Sequence, residues 1–301
     1  MALRSSINRA TRILLSVALL VGGPAESAFA ATLAQAAGQE RIVWIPRAGT
    51  PNGMFTRVCL PDTAAPAPLV VINHGSPPSP TLRPKRKAMP CDGEAARFFT
   101  SHGYVAAFPL RRGYGETGGR WAETYGRCNN ANYVTAGLAT ADDIEIAVRY
   151  LWSQPYVDNR RTLIVGQSAG GWGTLAFASR SPKGIATFIN FAGGRGAANP
   201  DKSQGINCSS DALVAAAGVY GRTTHEPVLW IYTENDRRIG KTLSTRMYDA
   251  YAGAGGSGRF VMLPSFGKDG HNLFEGRGGS AIWGPVVEEW LSAERNNAGR
   301  R

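Results

Sequence analysis

Continuous apolar runs recur along the chain, and stretches with helical periodicity separate them. Runs such as PLVVINHG, which lack polar alternation, predict strands that are buried on both faces. We predict such strands over residues 68–75, 104–111, 160–167, 184–194, 228–236 and 259–264. Helices are predicted over residues 93–101, 133–153, 169–180, 209–218, 240–252 and 281–294. This alternation predicts an α/β fold, with helices on both faces of a mostly parallel central sheet.

Residues 41–61, which precede these elements, do not follow the alternation of strands and helices. RIVWIP (41–46) and GMFTRVCLP (53–61) have the pattern of two strands joined by a turn at Pro-Asn-Gly. We therefore expect an antiparallel N-terminal edge of the sheet. A single α/β domain over 41–295 accounts for all of these elements, with a flexible leader over 31–40 and a disordered tail over 296–301.

The first 30 residues have the pattern of a secretory signal peptide. Three arginines precede the apolar stretch ILLSVALLV (13–21), and this 30-residue segment ends in Ala28-Phe29-Ala30. This pattern predicts a signal peptide over residues 1–30, cleavage after Ala30, and a secreted or periplasmic protein. A membrane anchor is the alternative, but the apolar stretch is shorter than the about 20 residues that span a bilayer. We therefore expect no stable membrane insertion.

The chain is basic, with a formal net charge of +11. The charge falls to +9 when the signal segment, which has three arginines and one glutamate, is removed. A basic excess can indicate a nucleic-acid partner. However, the densest cluster, RPKRK (83–87), lies in a proline-rich stretch with no interleaved aromatic residue. We interpret this cluster as a solvated loop and predict no nucleic-acid partner.

Four cysteines are present: Cys59, Cys91, Cys128 and Cys208. Their spacing contains no C-x-x-C motif, which argues against a zinc site or a thioredoxin-like site. An even number of cysteines in an exported chain favours two disulfides, and three pairings are possible. We predict Cys128 with Cys208, because both fall in long loops that share one edge of the sheet, and Cys59 with Cys91 by elimination.

The stretch LIVGQSAGGWG (163–173) places Ser168 among small residues directly after a predicted strand. Functional residues of such sheets lie in the loops beyond the carboxyl ends of the strands. A sharp strand-to-helix turn exposes the serine hydroxyl and leaves no room for side chains two residues away on either side. Gly166 and Gly170 meet that need, so the G-x-S-x-G pattern predicts a nucleophile elbow.

Five segments in this order resemble the α/β-hydrolase superfamily, and within it the dienelactone hydrolase-like and prolyl-oligopeptidase-like branches. They are VVINHGS (70–76), LRRGYGETGG (110–119), GQSAGG (166–171), YTEND (232–236) and DGHNLF (269–274). The resemblance implies an α/β-hydrolase fold with a triad of serine, acid and histidine. Dienelactone hydrolase proper has a cysteine nucleophile where this chain has a serine, which argues against the specific dienelactone reaction.

A serine nucleophile needs an adjacent base, and the chain has only four histidines. His74 lies in the segment before the site loop, and His102 follows a predicted helix. His225 precedes a strand, at the opposite edge of the sheet. His271 lies in a glycine-containing loop after the last strand, on the active edge, and is the predicted base.

The acid of the triad is expected between the serine and the histidine in the chain. Glu234 and Asp236 both follow the strand that begins at residue 228. Asp236 lies further into the turn and matches the resembling families, so we predict that it orients the histidine. Glu234 is interpreted as a turn or surface residue, and Asp269 as a residue that shapes the histidine loop.

Acyl transfer also needs hydrogen-bond donors for the tetrahedral oxyanion. We predict the backbone amides of Ala169, directly after the nucleophile, and of Ser76, in the loop after the strand that begins at residue 68. The sequence leaves open which amide of that loop points inward. Arg111 and Arg112 are expected to anchor their own loop. Four aromatic residues are candidates either for the core or for a substrate pocket: Tyr114, Trp121, Tyr125 and Trp172.

These features predict an exported serine hydrolase that acts on a small-molecule carboxylic ester through an acyl-enzyme. The chemistry requires no organic cofactor and no metal. A serine peptidase of the prolyl-oligopeptidase type is an alternative, because an amide leaving group needs the same residues. A non-catalytic binding protein on a hydrolase scaffold is a further alternative, since a fold alone does not imply chemistry. The sequence gives no indication of the oligomeric state.

Overall fold

The computed structural model of the chain describes residues 39–63, 66–196 and 208–298. The predicted signal peptide over 1–30 and most of the predicted leader over 31–40 lie outside these residues. The first strand begins at Glu40.

Eight strands form the central sheet of this described part. They are β1 (Glu40–Ile45), β2 (Met54–Cys59), β3 (Ala67–Asn73), β4 (Val105–Pro109), β5 (Val157–Gln167), β6 (Ile185–Phe191), β7 (Val228–Thr233) and β8 (Gly258–Leu263). Their order across the sheet is β1-β2-β4-β3-β5-β6-β7-β8. A separate two-residue ladder pairs Gly126–Arg127 with Asn130–Ala131.

The sheet is antiparallel at its N-terminal edge and parallel elsewhere. Strand β1 pairs with β2, and β2 pairs with β4, in antiparallel register. All pairs from β4 through β3, β5, β6 and β7 to β8 are parallel. The predicted mostly parallel sheet with an antiparallel N-terminal edge is therefore confirmed.

Six α-helices connect or flank these strands in the described residues. They are α1 (Glu94–Ser101), α2 (Tyr133–Trp152), α3 (Ala169–Ala178), α4 (Ser210–Gly221), α5 (Lys241–Gly253) and α6 (Ser280–Ala298). No helix in this part of the chain is both long enough and apolar enough to cross a membrane.

Helices cover both faces of the sheet. Successive side chains of a strand point to opposite faces, so Leu69 and Val71 of β3 enter one core while Val70 and Ile72 enter the other. The first core also contains buried residues of α2, α3, α4 and α5, and the second contains buried residues of α1 and α6. Burial on both faces explains why β3 is apolar from Ala67 to Ile72.

Two disulfides join loops to this framework. Cys59 is bonded to Cys91, and Cys128 is bonded to Cys208, with Cα–Cα distances of 5.5 Å and 5.3 Å. Both predicted pairings are confirmed. The second disulfide closes a separation of 80 residues and therefore joins segments that are far apart in the sequence.

The C-terminal helix extends further than the sequence predicted. Helix α6 continues to Ala298, three residues past the predicted domain end at 295. The chain has no glycine or proline between Pro285 and Gly299, so no residue in between breaks the helix. Residues 299–301 of the predicted tail lie outside the described part.

Candidate active site

Ser168 stands at the sharp turn between β5 and α3. Its φ and ψ angles are 55° and −118°, a conformation that residues with a Cβ rarely adopt. The Ser168 amide donates to the carbonyl of Phe191 at 2.9 Å, and its carbonyl accepts from the amide of Trp172 at 2.9 Å. These bonds hold the strained backbone to the neighbouring strand and to the first turn of the helix.

The two glycines that flank the turn have no space for a side chain. A Cβ at Gly166 would lie less than 3.0 Å from the Gly170 carbonyl, and a Cβ at Gly170 would lie less than 3.0 Å from the carbonyl oxygens of Asn73 and His74. Strands β3 and β5 therefore approach the helix too closely for alanine at either position. The small residues of G-x-S-x-G provide clearance, as the sequence predicts.

We expect Gly170→Ala to lower the free energy of unfolding by about 1–3 kcal/mol, because the new methyl group overpacks against backbone atoms that cannot move freely. Gly253→Ala is the matched control, since no atom lies within 4 Å of a Cβ there. That variant is expected to be neutral or more stable by up to about 1 kcal/mol. Urea unfolding of both variants checks the prediction, and equal stability would contradict it.

His271 lies next to the serine hydroxyl. It belongs to the short 3-10 helix Gly270–Asn272 in the loop after β8, and its Nε2 is 2.9 Å from Ser168 Oγ. The backbone of this loop is held from two sides. Gln167 Nε2 donates to the His271 carbonyl at 2.9 Å, and Asp269 Oδ1 accepts from the His271 amide at 3.1 Å.

Asp236 lies on the other side of the imidazole ring. Its two carboxylate oxygens are 3.1 Å and 3.0 Å from His271 Nδ1, and the carboxylate is fully buried. Oδ1 also accepts from the backbone amides of Arg238 and Ile239, both at 2.8 Å. A carboxylate only accepts hydrogen bonds, so Nδ1 carries the proton and Nε2 is free to accept from the serine hydroxyl.

The other acidic residues and histidines that the sequence offered have surface or loop-shaping positions. Glu234 is exposed, and Asp269 accepts from the amides of Arg237 and His271, which shapes the loop as expected. His102 caps α1 and contacts Glu288. His225 is exposed before β7.

His74 supports the loop after β3 from a buried position. Its Nδ1 lies 2.9 Å from the Gly75 carbonyl, and its Nε2 lies 3.3 Å from the Arg111 amide. Burial lowers the pKa of His74 well below its usual value, and the charge of Arg111 lowers it further. A neutral ring can donate from Nδ1 and accept at Nε2, which is the pattern that these contacts require.

The two residues whose amides are the predicted oxyanion donors belong to the cleft of Ser168. Ser76 and Ala169 line the same cleft as Ser168 and His271. Ala169 is the first residue of α3, so its amide has no carbonyl partner within the helix. The Ser76 hydroxyl contacts the Tyr114 hydroxyl, which orders the loop that carries the Ser76 amide.

The cleft has a volume of about 320 Å³ and is open to solvent. Of the four aromatic candidates, Trp121 and Tyr125 line it, whereas Trp172 and Tyr114 are fully buried. One wall comes from the segment before Cys128 and another from the segment around residues 194–196. Cys128 follows the first of these segments in the sequence and Cys208 follows the second, and the disulfide joins the two cysteines.

A buried charge cluster lies behind the cleft. Glu123 forms ion pairs with Arg111 and Arg195, and it accepts from the Tyr114 hydroxyl at 2.9 Å. Burial alone would raise the pKa of Glu123, but the charges of Arg111 and Arg195 hold it far below its usual value. Arg112 instead pairs with Asp143 at 2.7 Å, so both arginines anchor the loop as predicted.

Sequence reasoning missed Glu123 and Arg195, because nothing in the local pattern indicates a contact across 72 residues. No group of histidine, cysteine and acidic side chains in the described residues could hold a metal ion.

Comparisons with known proteins agree with this fold. Residues 92–190, about a third of the chain, match the prolyl oligopeptidase family. No curated protein matches the sequence. Among solved structures, a protein assigned as a dienelactone hydrolase from Klebsiella pneumoniae is 15% identical, with a TM-score of 0.53, over 83% of this chain and 97% of that chain.

Two further solved structures are similar. A protein assigned as a CIB-like hydrolase from Thermoplasma acidophilum is 14% identical, with a TM-score of 0.55, over 84% of this chain and 98% of that chain. Dipeptidyl peptidase 4 from Porphyromonas gingivalis is 18% identical, with a TM-score of 0.56, over 86% of this chain but only 35% of that chain.

The sheet order, the strained serine turn and these similarities show that the chain has the α/β-hydrolase fold. The predicted resemblance agrees with the match of residues 92–190 to the prolyl oligopeptidase family and with the structural similarity to a protein assigned as a dienelactone hydrolase.

Proposed function

We propose that the protein is an exported serine hydrolase that cleaves carboxylic esters through an acyl-enzyme. The observation that carries the proposal is the continuous chain of contacts from Ser168 Oγ through His271 to the buried Asp236 carboxylate. The distances are short enough for proton transfer without movement of a loop. Ser168 is the nucleophile, His271 is the general base and acid, and Asp236 fixes the tautomer of the imidazole.

In the first half of the reaction, Ser168 Oγ attacks the ester carbonyl carbon while its proton moves to His271 Nε2. The carbonyl electron pair moves onto the oxygen, which accepts from the amides of Ala169 and Ser76. Collapse of this intermediate re-forms the carbonyl and breaks the bond to the alcohol oxygen, which takes the proton from His271. The alcohol leaves, and the acyl group remains on Ser168.

In the second half, water attacks the acyl-enzyme and gives its proton to His271 Nε2. The second tetrahedral intermediate collapses, and Ser168 Oγ leaves with that proton as the free hydroxyl. The products are one alcohol and one carboxylic acid for each water consumed. No step needs a cofactor.

Peptide hydrolysis is the second candidate function. It is favoured by the match of residues 92–190 to the prolyl oligopeptidase family. Ester hydrolysis is favoured by the extent of the structural similarity. The alignment covers 97% of the length of a protein assigned as a dienelactone hydrolase, whose named substrate is a cyclic ester. It covers only 35% of the length of a dipeptidyl peptidase.

A matched pair of substrates separates these two functions. We expect the 4-nitrophenyl ester of an acyl group to be hydrolysed with measurable kcat/KM, and the 4-nitroanilide of the same acyl group to show no turnover above the Ser168→Ala background. Dipeptidyl 4-nitroanilides serve as the peptidase probe. A kcat/KM for any of these anilides that equals that of the ester would favour the peptidase. Absence of turnover with every substrate would favour a non-catalytic binding protein.

Export is part of the proposal. It is supported by the signal pattern that ends at Ala30 and by two disulfides, which form and persist in oxidising compartments.

A further inference from the structure

Arg83 is placed differently from the other cations of its basic stretch. It lies in the short 3-10 helix Pro80–Lys85 and lines the cleft that contains Ser168. Neighbouring Arg86 and Lys87 pair with glutamates, at 2.6 Å and 2.5 Å. The Arg83 side chain instead has no ion pair within the described residues, and its buried Nε has no hydrogen-bond partner there.

The Arg83 guanidinium is nonetheless held in position. Its Cζ lies 3.4 Å from the centre of the Trp121 ring, so the two groups are in face contact. The Trp121 indole in turn donates to the Tyr114 hydroxyl at 3.1 Å. A stacked guanidinium keeps the N–H groups at its edge free for a planar acceptor such as a carboxylate.

The other charged side chains that line the cleft are also positive. Arg195 and Arg238 line it together with Arg83, and no acidic side chain lines it among the described residues. Arg195 is paired with Glu123, which also compensates Arg111. Burial lowers the pKa of Arg83, Tyr114 and Glu123 raise it, and the charge of Arg195 lowers it to a smaller extent. An anion placed at the guanidinium would give the unpaired Arg83 the acceptor that it lacks.

We propose that the cleft selects esters that carry a free carboxylate, and that Arg83 is the residue that binds this carboxylate. This inference rests on the proposed ester hydrolysis. Arg195 and Arg238 add positive potential that attracts the anionic substrate. A charge-assisted bond from a preorganised arginine contributes about 10- to 100-fold in kcat/KM.

Two pairs of substrates test the proposal. In the first pair, the carboxylate is on the acyl side: 4-nitrophenyl hemiglutarate is compared with its neutral methyl ester. In the second, it is on the leaving group: 4-acetoxybenzoate is compared with methyl 4-acetoxybenzoate. After subtraction of spontaneous hydrolysis, we expect the acid to exceed its methyl ester in kcat/KM by about tenfold or more in at least one pair at low ionic strength. Salt should reduce this preference.

Arg83→Gln is expected to reduce the acid-to-methyl-ester ratio by about tenfold or more. Lys85→Gln removes the same charge from an exposed residue of the same 3-10 helix, and it should leave the ratio unchanged. If Arg83→Gln does not fold, Arg83→Lys serves instead, because it keeps the charge but loses the planar fork and should lower the ratio in part. A ratio near one in both pairs, or an equal effect of the Lys85 variant, would overturn the proposal.

Failure of this inference can be distinguished from failure of the proposed function. Turnover of neutral esters with no preference for acids would refute the carboxylate site and leave ester hydrolysis intact. If no ester is hydrolysed, calorimetric titration of glutarate and of benzoate into the wild-type protein and into Arg83→Gln still tests the site. Tighter binding to the wild type supports an anion site without hydrolysis, and equal or absent binding refutes it.

Discussion

Replacement of Ser168 by alanine is expected to lower kcat for ester hydrolysis by about 10⁴- to 10⁶-fold. The substitution removes the attacking oxygen and leaves His271 Nε2 without the contact that is now 2.9 Å long. Alanine keeps the Cβ, so the strain of the positive φ at this position is unchanged. The protein should therefore fold normally, and circular dichroism together with single-turnover kinetics checks both parts of the prediction.

Ser181→Ala is the matched control for this variant. Ser181 also has a positive φ, of 45°, and its hydroxyl donates to the Thr223 carbonyl at 2.7 Å on an exposed part of the surface. Loss of this hydroxyl should change kcat by less than about twofold, since surface substitutions have small effects. Turnover of an activated ester by Ser168→Ala at the wild-type rate would contradict the assignment of the nucleophile.

Asp236→Asn is expected to lower kcat by about 10⁴-fold, as the corresponding change does in other triads. Oδ1 must remain an oxygen, because it accepts from the amides of Arg238 and Ile239. The new NH₂ group therefore takes the place of Oδ2, which faces His271 Nδ1. The ring then accepts at Nδ1 and carries its proton on Nε2, where it can no longer take the proton of the serine.

Asp269→Asn controls for a loss of carboxylate charge in the same loop region. Asp269 Oδ1 accepts from two backbone amides, those of Arg237 and His271. An asparagine oxygen can replace it, so kcat should fall by less than about tenfold. Steady-state kinetics over pH 6–9 compares the two variants. Equal losses would show that loop shape, rather than the imidazole tautomer, is what Asp236 provides.

Much of the fold follows from patterns that the sequence displays locally. Strand β4 is apolar throughout and β3 is apolar up to Asn73, because both of their faces are covered, and such runs are visible without a structure. The sequence pattern did not indicate where β5 starts. This strand begins at Val157, which pairs with Ala67, and a polar segment with a shifted register follows before residue 163. Pairing of Val157 and Asp158 with β3, rather than an apolar pattern, places the start of this strand in the sheet.

Some residues of the candidate site are likewise indicated by local sequence patterns, and others are not. Ser168 is indicated by the small residues around it, and His271 by elimination among four histidines. The sequence indicates only a solvated loop around Arg83, whereas in the structure this residue is partly buried and lines the cleft. Its contact with Trp121 joins two loops through tertiary packing. Charge clusters of this kind depend on which loops meet, so local periodicity does not predict them.

Covalent labelling with a fluorophosphonate probe tests the central claim most directly, because only an activated serine reacts with it. Mass spectrometry of the digested protein should find one modified residue, Ser168. The label should be lost in Ser168→Ala and strongly reduced in Asp236→Asn, in which Nε2 cannot accept the proton. Absence of label from the folded wild-type protein, or label on another serine with Ser168 unmodified, would contradict the account.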